Sequence, residues 1–271
     1  DNIAGAAKFV HEARWALPAR PVGLPKNIER VIGYVRLRHA DRVNAMTYTP
    51  DGEKLLTASR DGTVRAWDLG NGRELLAYRS HAAPPADEKG NVDDRSVFRV
   101  PAVAVSPDGA TVASTGTGEI HIWDLATGKL KKKIAGHAPF LIRGLTFLAD
   151  GKSVATGGDD KIVRIWNVES GKETVAFPPQ ANRIEGIALS PNGKLLAATD
   201  ANGLLAVYKT DGSDKKPVLG VQASDSNAAN LGVLFTTDGT KIFTAGGDQT
   251  VAVHRRVHGD QGPGQATVAG P

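Results

Sequence analysis

From Gly136 to Asn167 the chain reads GHAPFLIRGLTFLADGKSVATGGDDKIVRIWN. An apolar run from Leu141 to Phe147 is followed by an Asp-Gly pair, Asp150-Gly151. A second run, Ser153 to Thr156, leads to a polar turn at Asp159-Asp160, and a third spans Ile162 to Trp166. Three short strands separated by two turn signals predict one antiparallel meander.

The pattern recurs along the chain. Equivalents of Trp166 fall at Trp67, Trp123, Tyr208 and His254, so the five positions are spaced by 56, 43, 42 and 46 residues. A period of that length, with an aromatic position and a turn in each unit, marks a repeat architecture. The turn before each second strand is Asp51-Gly52, Asp108-Gly109, Asp150-Gly151, Asn192-Gly193 or Asp238-Gly239. These residue types tolerate the positive φ that tight hairpins require.

With Trp67-Asp68, Trp123-Asp124 and the variant Trp166-Asn167, the chain resembles the WD-repeat β-propeller family, in a bacterial-type form. The resemblance runs over residues 34–256 and implies an all-β fold of four-stranded blades. Five repeats are recognisable, at about 34–76, 77–129, 130–172, 173–214 and 215–256. Either they close a five-blade ring, with Tyr34–Arg38 as the last blade's fourth strand, or they form an arc of a larger propeller.

The family also carries a hydrogen-bonded tetrad of His, Ser/Thr, Asp and Trp. The first repeat matches it with His39, Thr57, Asp61 and Trp67, and the third with His137, Thr156, Asp160 and Trp166. A buried indole N–H needs an acceptor, and a buried carboxylate needs donors. Thr117 stands for the Asp in the second repeat, and Tyr208 and His254 replace the Trp in the fourth and fifth. Those three blades are expected to be held mainly by apolar packing.

The flanks read differently. Residues 1–33 form a short helix (1–17) and a proline-rich tether, and residues 257–271 a Gly/Pro-rich tail. Residues 80–99 are an insertion between blades, on the face where the family implies partner binding. Candidate partner-binding side chains are Phe9 and Trp15 on the helix, and Asp87, Glu88, Asp93, Asp94 and Phe98 in the insertion. Those acids lack the alternating spacing of a calcium loop.

The chain has 271 residues, no cysteine and a net charge of +4. The missing cysteines remove disulfides, thiolate zinc sites and cysteine nucleophiles. A mild positive excess argues against a dedicated nucleic-acid binder. Two basic runs, Arg30 to Arg42 and Lys129 to Lys133, fall on expected outer strands, where they guard against edge pairing. No apolar run is long enough to span a membrane, and the first residue, Asp1, implies a processed or incompletely observed N-terminus.

No catalytic, metal or cofactor motif stands out. The resemblance implies a non-catalytic scaffold that binds other proteins. One alternative is a structural subunit of a multiprotein assembly, whose missing blades or contacts come from other chains. A second is a ligand-binding or enzymatic propeller using its central channel, where the first strands bring Val43, Ala45, Val103, Val105, Leu145, Ile187 and Leu189. The cysteine-free, consensus-rich repeats point toward an exported, periplasmic bacterial protein.

Overall fold

The computed structural model describes residues 37–79, 81, 99–224 and 230–255. These form nineteen strands grouped in five antiparallel sheets, arranged as the blades of a β-propeller. The helix, tether and tail expected at the ends lie outside the described residues. So do residues 34–36 of the expected Tyr34–Arg38 strand, while Leu37 and Arg38 join no strand.

Blade 1 comprises β1 (Val43–Tyr48), β2 (Lys54–Ser59), β3 (Val64–Asp68) and β4 (Glu74–Tyr78). Blade 2 comprises β5 (Val103–Val105), β6 (Thr111–Thr115), β7 (Glu119–Asp124) and β8 (Leu130–Ala135). Blade 3, the meander read first in the sequence, adds β9 (Ile142–Phe147), β10 (Ser153–Gly158), β11 (Arg164–Asn167) and β12 (Glu173–Ala176). Blade 4 consists of β13 (Ile184–Leu189), β14 (Leu195–Asp200), β15 (Leu204–Lys209) and β16 (Leu219–Gln222). Blade 5 has β17 (Asn230–Phe235), β18 (Lys241–Gly246) and β19 (Val251–Arg255), with no fourth strand among the described residues.

The hairpins follow from their turn residues. Gly52, Gly109, Gly151, Gly193 and Gly239 all adopt φ between 64° and 73°, a region that costs a residue with a Cβ about 1–2 kcal/mol. The preceding acid or amide closes the turn from its side chain. Asp51 Oδ1 accepts from the Glu53 N–H, and Asp108, Asn192 and Asp238 accept equivalently from Ala110, Lys194 and Thr240.

The core lies between blades rather than within them. Leu56, Ala58, Val64 and Ala66 of blade 1 pack with Val103, Val112 and Trp123 of blade 2. Blade 2 in turn meets Leu145, Phe147 and Trp166 of blade 3, and the pattern continues through blade 4 to blade 5. The first-strand residues Val103, Val105, Leu145, Ile187 and Leu189, expected to line a channel, belong to these interblade clusters. Blades touch in chain order, β1 with β5, β5 with β9, β9 with β13 and β13 with β17, and no comparable contact joins β17 to β1. Among the described residues the fifth blade therefore does not close onto the first as the other neighbours do.

Candidate interaction surface

Blades 1 to 4 are each pinned at one end by a polar contact running from the entry loop to the second or third strand. In blade 1, the Trp67 indole N–H donates to Thr57 Oγ1 at 2.7 Å. The same hydroxyl lies 2.7 Å from His39 Nε2, and His39 Nδ1 lies 3.0 Å from Asp61 Oδ2. A carboxylate accepts but does not donate, so His39 Nδ1 is the donor toward Asp61. Blade 3 brings together the same four types: Trp166 to Thr156 at 2.8 Å, Thr156 to His137 at 2.8 Å, and His137 to Asp160 at 2.8 Å.

Both carboxylates are shifted downward. Burial alone would raise the Asp61 pKa. The Thr63 hydroxyl, the backbone N–H groups of Ala40 and Thr63, and His39 outweigh it and hold it at about 2. Burial likewise opposes ionisation of Asp160, yet His137, the Ile162 N–H and Arg164 lower its pKa. Both acids are therefore committed anions inside a relay, with no proton to exchange near neutral pH.

The remaining blades, expected to be held mainly by apolar packing, also keep a polar contact. In blade 2, His81 from the insertion supplies the missing partner: its Nε2 lies 2.9 Å from Ser114 Oγ, to which the Trp123 indole N–H donates at 3.3 Å. Thr117, read as the Asp substitute, instead forms a β-bridge with Leu141. In blade 4 the Gln180 amide donates to the Tyr208 hydroxyl at 3.2 Å, with Phe177 packed on the Tyr208 ring. In blade 5, His254 Nε2 lies 3.1 Å from Thr244 Oγ1. His81 and Gln180 escaped the sequence reading because His81 lies 33 residues from its serine, against 18 and 19 in the matched repeats, and Gln180 is not a family residue type.

Above the blade 3 relay lies an open depression of about 420 Å³, bordered by His137, Phe140, Asp159, Asp160, Lys161 and Arg164. Phe140 is 46% exposed, whereas every charge around it is tied down. Arg164 bridges Asp160 and Glu173, and Lys161 Nζ donates to the Ala181 carbonyl of the following loop at 3.1 Å. Asp159 holds Arg143 at 2.5 Å, and Arg143 reaches Glu185 of blade 4, which also pairs with Arg183.

Other candidates read from the sequence fall elsewhere. Phe9, Trp15, Asp87, Glu88, Asp93, Asp94 and Phe98 lie outside the described residues. Lys131 and Lys133 on β8 pair with Asp124 and Glu119, and Lys132 donates to the Glu169 carbonyl. Among the described residues no group of three or more His, Asp or Glu could hold a metal ion, and no helix is long and apolar enough to cross a membrane.

Repeated blades, interblade cores and the indole-centred relays define a WD-repeat β-propeller. The chain belongs to the family described as nucleolar protein 10-like, N-terminal domain, which matches residues 31–213. It is similar to Periodic tryptophan protein 2 of Arabidopsis thaliana, with 28% identity over 235 residues, covering 80% of this chain and 24% of that protein. The same protein of Saccharomyces cerevisiae is 24% identical over 212 residues, 64% of this chain and 22% of the relative. The human Cilia- and flagella-associated protein 52 is 24% identical over 172 residues, 63% of this chain and 25% of the relative. The chain thus spans about a quarter of the length of the curated relatives it matches.

These relatives are eukaryotic, and the family's description is nucleolar. That overturns the expectation of an exported, periplasmic protein and leaves the bacterial-type label without support. The physical reason is simple. Lack of cysteine is compatible with reducing and oxidising compartments alike, so composition never carried the compartment.

Proposed function

We propose that the chain is a non-catalytic scaffold that binds other proteins through its blade-top face and its rim. The observation that supports this most directly is Phe140, a half-exposed aromatic beside a depression whose charges are all held by partners within the chain. Aromatic anchors on rigid surroundings are the side chains that dominate protein recognition. Carboxylates locked as anions by His and Arg hold a shape and are poorly placed to transfer protons.

A second reading, a subunit of a larger multiprotein assembly, is favoured by the uncovered faces of the first and fifth blades. Use of a central channel for binding or catalysis receives less support, because the apolar side chains that would face it pack between blades.

The test compares the intact protein with Phe140→Ala in affinity purification from its native source, beside urea melts of both. A defined set of proteins lost from the variant at unchanged stability supports the scaffold reading. Identical protein sets, or turnover of a substrate by the purified chain, would overturn it.

A further inference from the structure

At one register of the second strand, blades 1, 2, 3 and 5 carry a hydroxyl. Thr57, Ser114, Thr156 and Thr244 pair there with Met46, Val103, Leu145 and Val233 of the first strands. Each hydroxyl meets a ring nitrogen from the third strand, on Trp67, Trp123, Trp166 or His254. In blade 4 the residue at this register is Ala198, paired with Ile187. Other positions of the same blade change with it. Gln180 precedes β13 as His39 precedes β1, and Tyr208 replaces the tryptophan. Asp200, paired with Ile184, stands where blades 1 and 3 have Ser59 and Gly158.

Leu196, Ala198 and Asp200 alternate along β14 on the side that carries Tyr208 and packs against blade 3. Asp200, Gln180 and Tyr208 are 0%, 8% and 3% exposed, yet their hydrogen bonds do not close. Asp200 Oδ1 accepts from the Asn202 and Leu204 N–H groups, while Oδ2 meets no donor among the described residues. The Gln180 amide donates to the Tyr208 hydroxyl at 3.2 Å, and Gln180 Oε1 likewise meets no donor. The Tyr208 hydroxyl keeps its own proton to give. Burial, and beyond it the Asp200 charge, raise the Tyr208 pKa against the Gln180 hydrogen bond, so the carboxylate lies within electrostatic reach of that hydroxyl. Buried polar atoms left unmatched are costly, and native folds match them.

What these groups lack defines what binds them: one acceptor for the Tyr208 proton, and two donors for Gln180 Oε1 and Asp200 Oδ2. A water molecule offers that set. A metal cation donates no hydrogen bond and opposes the Tyr208 proton, and a larger molecule exceeds the hydroxyl and methyl by which Thr and Ala differ. We propose that blade 4 holds an internal water on Tyr208, Gln180 and Asp200, in the place where the other blades set a threonine or serine hydroxyl. Buried waters make about three hydrogen bonds of this kind.

The site bears on the surface described above. The Gln180 N–H donates to the Lys161 carbonyl at 2.9 Å, and the neighbouring Ala181 carbonyl accepts from Lys161 Nζ. The water thus anchors to blade 4 the loop that backs Lys161, on the border of the Phe140 depression.

The test pairs two substitutions of nearly equal volume in the full chain, Ala198→Thr and Ala198→Val. Both side chains displace the water, and only threonine returns a hydroxyl to the unmatched groups. The valine variant should melt about 3 °C or more below the threonine variant. Equal melting of the two would overturn the proposal, because Ala198 would then face no unmatched polar group.

A crystal structure of the parent depends on neither variant. One solvent peak within hydrogen-bond distance of Tyr208 Oη, Gln180 Oε1 and Asp200 Oδ2 is expected. A Gln180 amide turned over to meet Asp200 directly, with no such peak, would overturn the proposal. So would a parent Tm that falls when sodium and potassium are exchanged for tetramethylammonium, since a cation would then be the occupant. The scaffold reading stands or falls separately, on Phe140.

Discussion

His81 stacks on His121, with ring centroids 4.0 Å apart and planes 8° from parallel. The pair is walled by Tyr78, which stacks in turn on Trp123 at 4.6 Å. Burial, followed by the charges of His121 and Lys133, pushes the His81 pKa down to about 3. Burial also lowers that of His121, against the opposing effect of its hydrogen bond to Glu119.

Both folded-state values lie below the unfolded value of about 6.5, so the unfolded chain binds more protons as the pH falls. The stability these histidines permit is complete above about pH 6.5 and is lost on acidification toward pH 3. The urea midpoint should therefore drop between pH 7 and pH 4, with His81 accounting for at most about 3 kcal/mol. His121→Phe, which keeps the stack and removes one titrating ring, should flatten that dependence. An equal slope in parent and variant would show that the pair does not titrate against folding.

The relay of blade 3 gives a second expectation. Trp166 is buried in the interblade cluster with Ile120, Ile134 and Phe147, and its N–H is held by Thr156. Trp166→Ala should cost about 3–5 kcal/mol through the cavity it leaves. Trp166→Phe keeps most of the volume and loses the hydrogen bond, so its cost should be nearer 1–2 kcal/mol. Equal urea midpoints for parent and Ala variant would place Trp166 outside the core.

How much of this was legible beforehand depends on whether the determinant is local. The Asp-Gly turns and the Trp-Asp pairs are local, and they carried the blade number and the hairpin positions. The His39 and His137 relays were legible because the resemblance implies a tetrad that maps onto them residue by residue. His81 was not, since the insertion stretched its distance in sequence from the serine, and only the tertiary fold returns it to Ser114. Val251 illustrates a different limit. In sequence it is indistinguishable from the buried Val64, because exposure of a strand face is decided by whether another blade stands against it.

The ion network between blades 3 and 4 yields a third expectation. Arg143 links Asp159 of its own blade to Glu185 of the next, and Glu185 is mostly buried. Arg143→Met leaves Glu185 with the half-exposed Arg183 alone. The cost should be about 1–2 kcal/mol, less than for a fully buried pair because Arg143 remains partly solvated. A thermal melt unchanged by the substitution, at low and high salt alike, would show that the network is ornamental to stability.

The last expectation concerns backbone strain beside the Phe140 depression. At the turn between second and third strands, Gly62 and Gly203 adopt φ of 79° and 82°, while Lys161 and Gln249 occupy equivalent turns at 70° and 66°. A side chain in that region costs about 1–2 kcal/mol, and glycine's extra freedom when unfolded returns about 0.4–1 kcal/mol of any relief. Gln249→Gly should therefore stabilise the chain by about 0.5–1 kcal/mol. Lys161→Gly should gain less or nothing, because it also removes the hydrogen bond from Nζ to the Ala181 carbonyl. Urea midpoints of the two variants decide the point: a larger gain for Lys161→Gly than for Gln249→Gly would mean that the lysine contact, which ties blade 3 to blade 4 across the depression, contributes nothing to holding that face in shape.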